Sequence, residues 1–236
     1  MLLTATAMSR KLRSRANPGS VAILQSFFKT GRGQYGEGDR FIGVTVPVIR
    51  AVCRECRGAP LVEIQKLLRS RIHEERGLAL LMLVDAFKAG DEPTERRVYD
   101  LYLANTAFIN NWDLVDCSAG QIVGGWLRGR STAPLTRLAR SKSLWERRIA
   151  IIATFDGIRR GDFDETFRIA DLLLYDEHDL IHKAVGWLLR EVGKRDGAAE
   201  RTFLKGRYKT MPRTMLRYAI ERFPEAERRG YLRGDI

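Results

Sequence analysis

The chain of 236 residues contains only three cysteines, Cys53, Cys56 and Cys117. So odd and sparse a set excludes a disulfide framework and points to a reducing compartment. Long apolar runs are missing too. The longest, residues 77–84, is far short of the ~20 residues that a membrane-spanning helix requires. No convincing alternation of apolar and polar positions marks a half-buried strand. Acidic residues are absent from the start: the first is Glu37, after Arg10, Lys11, Arg13, Arg15, Lys29 and Arg32. Residues 1–8 are weakly apolar but precede this basic stretch, the reverse of the order in a secretion signal. The acid-free start imitates a mitochondrial transit peptide, a minor alternative to the expected cytoplasmic location.

What is present is positive charge on a globular background. Hydrophobic residues make up 44% and charged residues 30% of the chain, and 41 Lys+Arg outnumber 29 Asp+Glu for a net charge of +12. The length suits one domain with a continuous core. A balance this basic implies a polyanionic partner, with nucleic acid first among them. The far end is also basic, with 13 Lys+Arg against 7 Asp+Glu from residue 190 onward.

Apolar residues recur at helical spacing nearly everywhere, so the fold class expected is all-α. Pro47 opens a helix in which Val48, Ile49, Val52 and Cys53 share a face, and Pro60 opens the next. A helix over His73–Ala89 stops at Gly90, and Pro93 begins its successor. Further helices are expected over 145–160 and 179–194, with a last one from Pro212 aligning Leu216, Ile220 and Phe223. The stretches beginning at His73, Ile109, Trp145 and Ile181 start 36 residues apart. That period is in the range of stacked helical-pair repeats, a solenoid of HEAT-like antiparallel helices. On this register Trp112 and Arg148 occupy equivalent positions, and Asp116 lies one turn beyond Trp112. Residues 1–19 are set apart as a basic N-terminal segment, partly disordered, ahead of a single domain over 20–236.

Several motifs fail on context. Gly31-Arg32-Gly33-Gln34-Tyr35-Gly36 matches a dinucleotide fingerprint literally, but a helical segment precedes it instead of a strand, so it reads as a connecting loop. Cys53-Arg54-Glu55-Cys56 lacks a second ligand pair at zinc spacing, and His178 with His182 lacks a third ligand. No metal, cofactor or nucleophilic triad is expected.

The informative stretch is 108–120. Asn110 reads as an N-cap and Asp113 as its capping-box partner, a structural role. Asp116 reads either as a solvated first-turn carboxylate or as a functional one. Trp112-Asp113-Leu114-Val115-Asp116 resembles the W-D-x-V-D motif of the AlkD-like DNA alkylation repair glycosylases. Trp145-Glu146-Arg147-Arg148-Ile149 resembles that family's W-x-x-R-A/I segment, and residues 183–191 closely resemble its K-A-x-G-W-x-L-R-E segment. The stretches 27–44 and 212–220 are also similar, so the resemblance covers about residues 20–233.

The resemblance implies a C-shaped stack of helical repeats whose concave face cradles duplex DNA. It implies that Asp116 is the catalytic carboxylate and that Trp112 and Trp187 flank the lesion nucleotide. Arg148 becomes a backbone and active-site contact, and Lys183, Arg190, Arg213 and Arg217 become further DNA contacts. The family's DNA-contacting tyrosine falls nearest Tyr35, where the glycine-rich loop leaves the alignment ambiguous by about a residue. The implied activity is a monofunctional glycosylase that removes cationic alkylpurines such as 3-methyladenine and 7-methylguanine from duplex DNA. The protein would act as a cytoplasmic monomer, nucleoid-associated when bound to DNA. Two alternatives stay open: a non-catalytic helical-repeat protein that binds duplex or branched DNA, and a scaffold for protein or RNA.

Overall fold

The computed structural model describes residues 3–236, and every regular element among them is helical. A single isolated parallel bridge, Arg40 to Ile72, is the only extended pairing among the described residues. No described helix is long and apolar enough to cross a membrane. The chain forms two compact units, the first ending at Ser118 and the second running from Ala119 to Ile236.

The first unit holds α1 (Ala5–Arg13), α2 (Pro18–Ser26), α3 (Val46–Glu55), α4 (Leu61–Leu68), α5 (His73–Ala89), α6 (Glu92–Leu103) and the single turn α7 (Trp112–Asp116). Helix starts fall where the prolines dictate. Proline sits in the first turn of α3 and α6, and Pro60 caps α4, because its missing N–H is not needed there. Around α5 pack α3, α4, α6 and α7, burying Leu78, Leu80 and Leu83 completely. Part of the segment set apart as basic and partly disordered is α1, which packs on α3 and α4 with Met8 and Leu12 buried. Buried Glu75 holds it, accepting from the Ser9 hydroxyl at 2.6 Å and from Arg13 Nε at 2.8 Å.

The glycine-rich stretch is a loop, as its context required. Its exit is fixed by Glu74, whose buried carboxylate accepts the backbone N–H groups of Ile42, Gly43 and Val44 at 3.0, 2.9 and 3.3 Å. Gly43 has φ of 81° and lies so close to the Asn17 carbonyl that no side chain fits.

The second unit holds α8 (Ala119–Leu127), α9 (Ala133–Ala139), α10 (Leu144–Ala153), α11 (Phe155–Arg159), α12 (Asp164–Leu172), α13 (Asp179–Gly193), α14 (Gly197–Lys205), α15 (Arg213–Ala219) and α16 (Glu225–Arg233). Here α10 packs on α8 and α9, and α13 packs on α14 and α15. Two expectations need correction. The helix expected over 145–160 breaks at Thr154, whose hydroxyl donates back to the Ile151 carbonyl at 2.8 Å and competes with helix continuation. The helix from Pro212 is not the last. It ends at Ala219 in a short 3₁₀ turn, and Pro224 starts α16 because proline cannot extend the preceding helix.

The 36-residue register is only approximate in the helices themselves: α5, α7, α10 and α13 begin 39, 32 and 35 residues apart. Trp112 opens α7, whereas Arg148 is the fifth residue of α10, so the two are not equivalent helix positions.

Close backbone approach explains one glycine. A Cβ on Gly186 of α13 would strike the Met215 carbonyl and lie 2.6 Å from Tyr218 Cβ on α15. Gly186→Ala is expected to lower stability by roughly 1–3 kcal/mol through this overpacking, despite alanine's higher helix propensity. Urea unfolding at one pH measures it, and an unchanged midpoint refutes the close-approach argument.

A second expectation concerns Glu200, buried in α14 with 1% of its surface exposed. Burial, with a smaller push from the Glu227 charge, raises its carboxyl to about 8, against partial opposition from Arg201 and Arg190. Between the ordinary carboxyl range and pH 8 the folded chain therefore binds a proton that the unfolded chain has lost, so stability falls as pH rises through that window. Glu200→Gln should flatten this slope and raise the Tm most at pH 8 and above. Parallel Tm–pH profiles for variant and wild type contradict the assignment.

Candidate functional site

The residues singled out by sequence fall into two groups, one in each unit. In the first unit, α7 carries Trp112, Asp113 and Asp116. Its N-cap is Asn111 rather than Asn110: the fully buried Asn111 accepts the Trp112 N–H at 2.9 Å. The same side chain donates through Nδ2 to Asp39 at 3.0 Å, which ties α7 to the loop that precedes α3. Asp113 closes no capping box. Its Oδ2 faces His73 Nε2 at 2.8 Å, because α5 presents that imidazole to it.

His73 is the centre of this arrangement. Its Nδ1 lies 3.1 Å from Asp39, so the ring bridges two aspartates, and Asp39 also accepts from Arg76 Nη2 at 2.6 Å. Burial alone would lower the imidazole, but the bonds to Asp113 and Asp39 outweigh it and raise His73 to about 9. Burial would likewise raise Asp39, yet the His73 bond, the Arg76 charge and the Asn111 bond together hold it below the usual carboxylate range. The imidazolium lies under an aromatic stack. Phe41 stacks on it at 4.7 Å between ring centroids, Phe28 stacks on Phe41 at 5.2 Å, and Trp112 stacks on Phe28 at 5.3 Å with 27° between planes.

The Trp112 indole is therefore half-buried and held on one face by Phe28. Asp116, one turn on, is half-exposed at the end of α7. Beneath it Ser118 donates to the Leu114 carbonyl at 2.6 Å and meets the Tyr102 hydroxyl at 2.9 Å, which fixes the end of the turn. Burial pushes the neighbouring Cys117 thiol up to about 12, so it stays protonated and is no nucleophile at neutral pH. Tyr35 is half-exposed in the glycine-rich loop. Phe28, Phe41, His73 and Asp39 were not singled out from sequence. The one available signal was a four-residue charged run opening an otherwise apolar helix, which is ordinarily solvated and here is buried.

In the second unit Arg148 is 5% exposed, and its Nη1 donates to the Leu180 carbonyl at 2.5 Å, tying α10 to the first turn of α13. Trp187 is half-buried, tilted 46° against Phe155 at 5.9 Å, and donates from Nε1 to Glu191 at 3.1 Å. Lys183 pairs with Asp179 at 2.7 Å, and Arg190 pairs with Glu221. Arg213 and Arg217 are exposed, and Arg213 also donates to the Leu232 carbonyl at 2.7 Å. Among the described residues no group of His, Cys, Asp or Glu has the arrangement of a metal site.

The bridging imidazolium generates a pH expectation. Its folded value near 9 lies above the ordinary 6.5, so its contribution is complete below pH 6.5 and is lost as pH rises through 9. The Tm advantage of wild type over His73→Gln should be largest at pH 6 and shrink toward pH 10. An advantage that grows with pH would reverse the charge assignment.

Comparison with known proteins agrees with the helical architecture. The fold is similar to that of a solved structure described as a predicted DNA alkylation repair enzyme from Enterococcus faecalis, at 16% identity and a TM-score of 0.69, covering 89% of this chain and 98% of that one. No curated protein sequence matches. The sequence profile of the DNA alkylation repair enzyme family matches residues 8–223. That match extends over nearly the whole chain, and the protein belongs to the DNA alkylation repair enzyme family.

Proposed function

We propose that the protein is a monofunctional DNA glycosylase of the AlkD-like type, releasing cationic alkylated purines such as 3-methyladenine and 7-methylguanine from duplex DNA. The observation that carries this reading is α7. There a half-buried indole, braced on one face by Phe28, and a half-exposed carboxylate lie one turn apart in a chain of this repair family.

Alkylation at N3 or N7 places a positive charge on the purine, so the base leaves without being protonated. The C1′–N bond breaks with its electron pair going to the base, and the sugar passes through an oxocarbenium-like state. Asp116 opposes that developing charge and orients the water that adds to C1′, whose proton passes to the carboxylate or to solvent. An ordinary glycosidase needs a second carboxyl group as acid. A leaving group that is already cationic removes the need, which suits a site with one carboxylate assigned to the chemistry. Trp112 supplies a π face to the cationic sugar or base, an attraction of roughly 0.5–2 kcal/mol. Asp113, held by His73, is a positioning residue for the turn.

In the second unit Trp187 and Arg148 are proposed lesion and backbone contacts. Lys183 and Arg190 exchange Asp179 and Glu221 for phosphate, and exposed Arg213 and Arg217 meet the backbone directly. Tyr35 is a further proposed DNA contact in the first unit. The net charge of +12 supports a polyanionic partner.

Asp116→Asn should reduce single-turnover release of 7-methylguanine by two to four decades, roughly what loss of one charge-stabilising group produces, while duplex affinity stays equal or rises. Asp113→Asn should lose thermal stability through the His73 contact and retain more of the excision rate. Wild type should leave uracil and hypoxanthine in place. Full activity in the Asp116 variant, or efficient uracil release, overturns the mechanism. Duplex binding with no excision of any cationic lesion favours the non-catalytic alternative.

A further inference from the structure

A cleft in the first unit, of about 420 Å³, is lined in part by Arg40, Arg69, Arg71 and Arg76. The bridge between Arg40 and Ile72, with the His73 N–H donating to the Arg40 carbonyl at 2.8 Å, fixes Arg40 beside the turn that carries Arg71. Their side chains are exposed. Arg69 is preorganised from two sides: its Nε donates to Asn105 at 3.0 Å, and its guanidinium lies 5.6 Å over the Phe108 ring. Both contacts leave the terminal Nη groups for a ligand.

Two carboxylates also line the cleft. Among the described residues Asp39 is ion-paired with Arg76, and neither it nor Glu37 is ion-paired with Arg40, Arg69 or Arg71. Asp39 is engaged by Arg76, His73 and Asn111, and Glu37 accepts the Gly33 N–H at 2.7 Å. Arginine forks match the oxygens of a phosphodiester, and stacked guanidinium planes meet one at little further entropic cost. Asp39 joins this cleft to the α7 site, because the carboxylate that neutralises Arg76 also holds the Asn111 cap of Trp112.

We infer that the Arg40–Arg69–Arg71 cleft binds a phosphodiester of the DNA backbone, anchoring the duplex beside the turn that carries Trp112 and Asp116. This rests on the DNA-binding reading proposed above and adds a contact site distinct from the cations assigned there. A phosphate held here sets the register of the strand relative to α7 without reading base identity.

The test compares R40Q/R71Q with R96Q/R97Q, an equal charge loss on the exposed face of α6, in the full-length chain. Affinity for a short undamaged duplex is measured across salt concentrations. R40Q/R71Q should reduce the slope of log K against log salt by about 2, and affinity at ~0.1 M salt by one to two decades. R96Q/R97Q should do neither. Arg69→Lys should reproduce part of the loss, since a point charge replaces the stacked fork. Equal effects in the two double variants, or an unchanged slope in R40Q/R71Q, overturn the site while leaving the proposed function standing. Absence of duplex binding by wild type at any salt overturns both. Inorganic phosphate separates the sources: a phosphate-dependent rise in Tm that R40Q/R71Q abolishes, with the DNA slope unmoved, assigns the cleft to a free anion and overturns the backbone assignment.

Discussion

The first turn of α5 is the constraint on which the first unit depends. His73, Glu74, Glu75 and Arg76 are consecutive and all buried, and each is bonded to residues outside α5. His73 bridges Asp39 and Asp113, and Glu74 takes three backbone N–H groups from the loop that enters α3. Glu75 holds α1, and Arg76 neutralises Asp39. Buried charges are costly unless paired and fully hydrogen-bonded, so each contact must form for the others to be tolerated. Acidic groups near a helix N-terminus also gain from its dipole. The turn thus converts a desolvation penalty into positional information for three segments otherwise far apart in sequence: α1, the loop over 39–44 and α7.

That network explains how a helix of five residues, too short to persist alone, presents an indole and a carboxylate in fixed places. Asn111 caps it while gripping Asp39, the Asp113 side chain turns inward to His73, and Trp112 rests on Phe28. Asp116 is left half-exposed at its end. The two aspartates of one motif, three residues apart, are both partly exposed and differ in attachment: Asp113 binds the buried His73, and Asp116 stands at the end of the turn.

The second unit solves a different problem, close packing of apolar helices. Backbone contact between α13 and α15 is possible only because Gly186 has no side chain. On the same helix Trp187 donates to Glu191, which Lys194 also holds at 2.5 Å. The glycine and tryptophan of the K-A-x-G-W segment thus serve different ends: one admits a neighbouring helix, and the other keeps an indole half-exposed with its polar atom satisfied.

Much of this was legible in the residues themselves. Helical periodicity and the proline and glycine boundaries determined the all-α class, the full extent of α5 and the starts of α3, α4 and α6, because these depend on local sterics and on missing donors. The W-D-x-V-D and K-A-x-G-W segments pointed to the family, and composition pointed to a polyanion. What the sequence could not determine was everything set by pairing across the chain. Asn111 rather than Asn110 caps α7, and Asp113 binds His73 instead of a capping amide. Arg148 is buried against the Leu180 carbonyl, and the charged run over 73–76 forms the buried hub of a unit. Local propensity fixes where a helix begins and which residues share a face. Which charges lose their water is decided only when distant segments meet, because a desolvated ion is stable only beside a partner that folding brings to it.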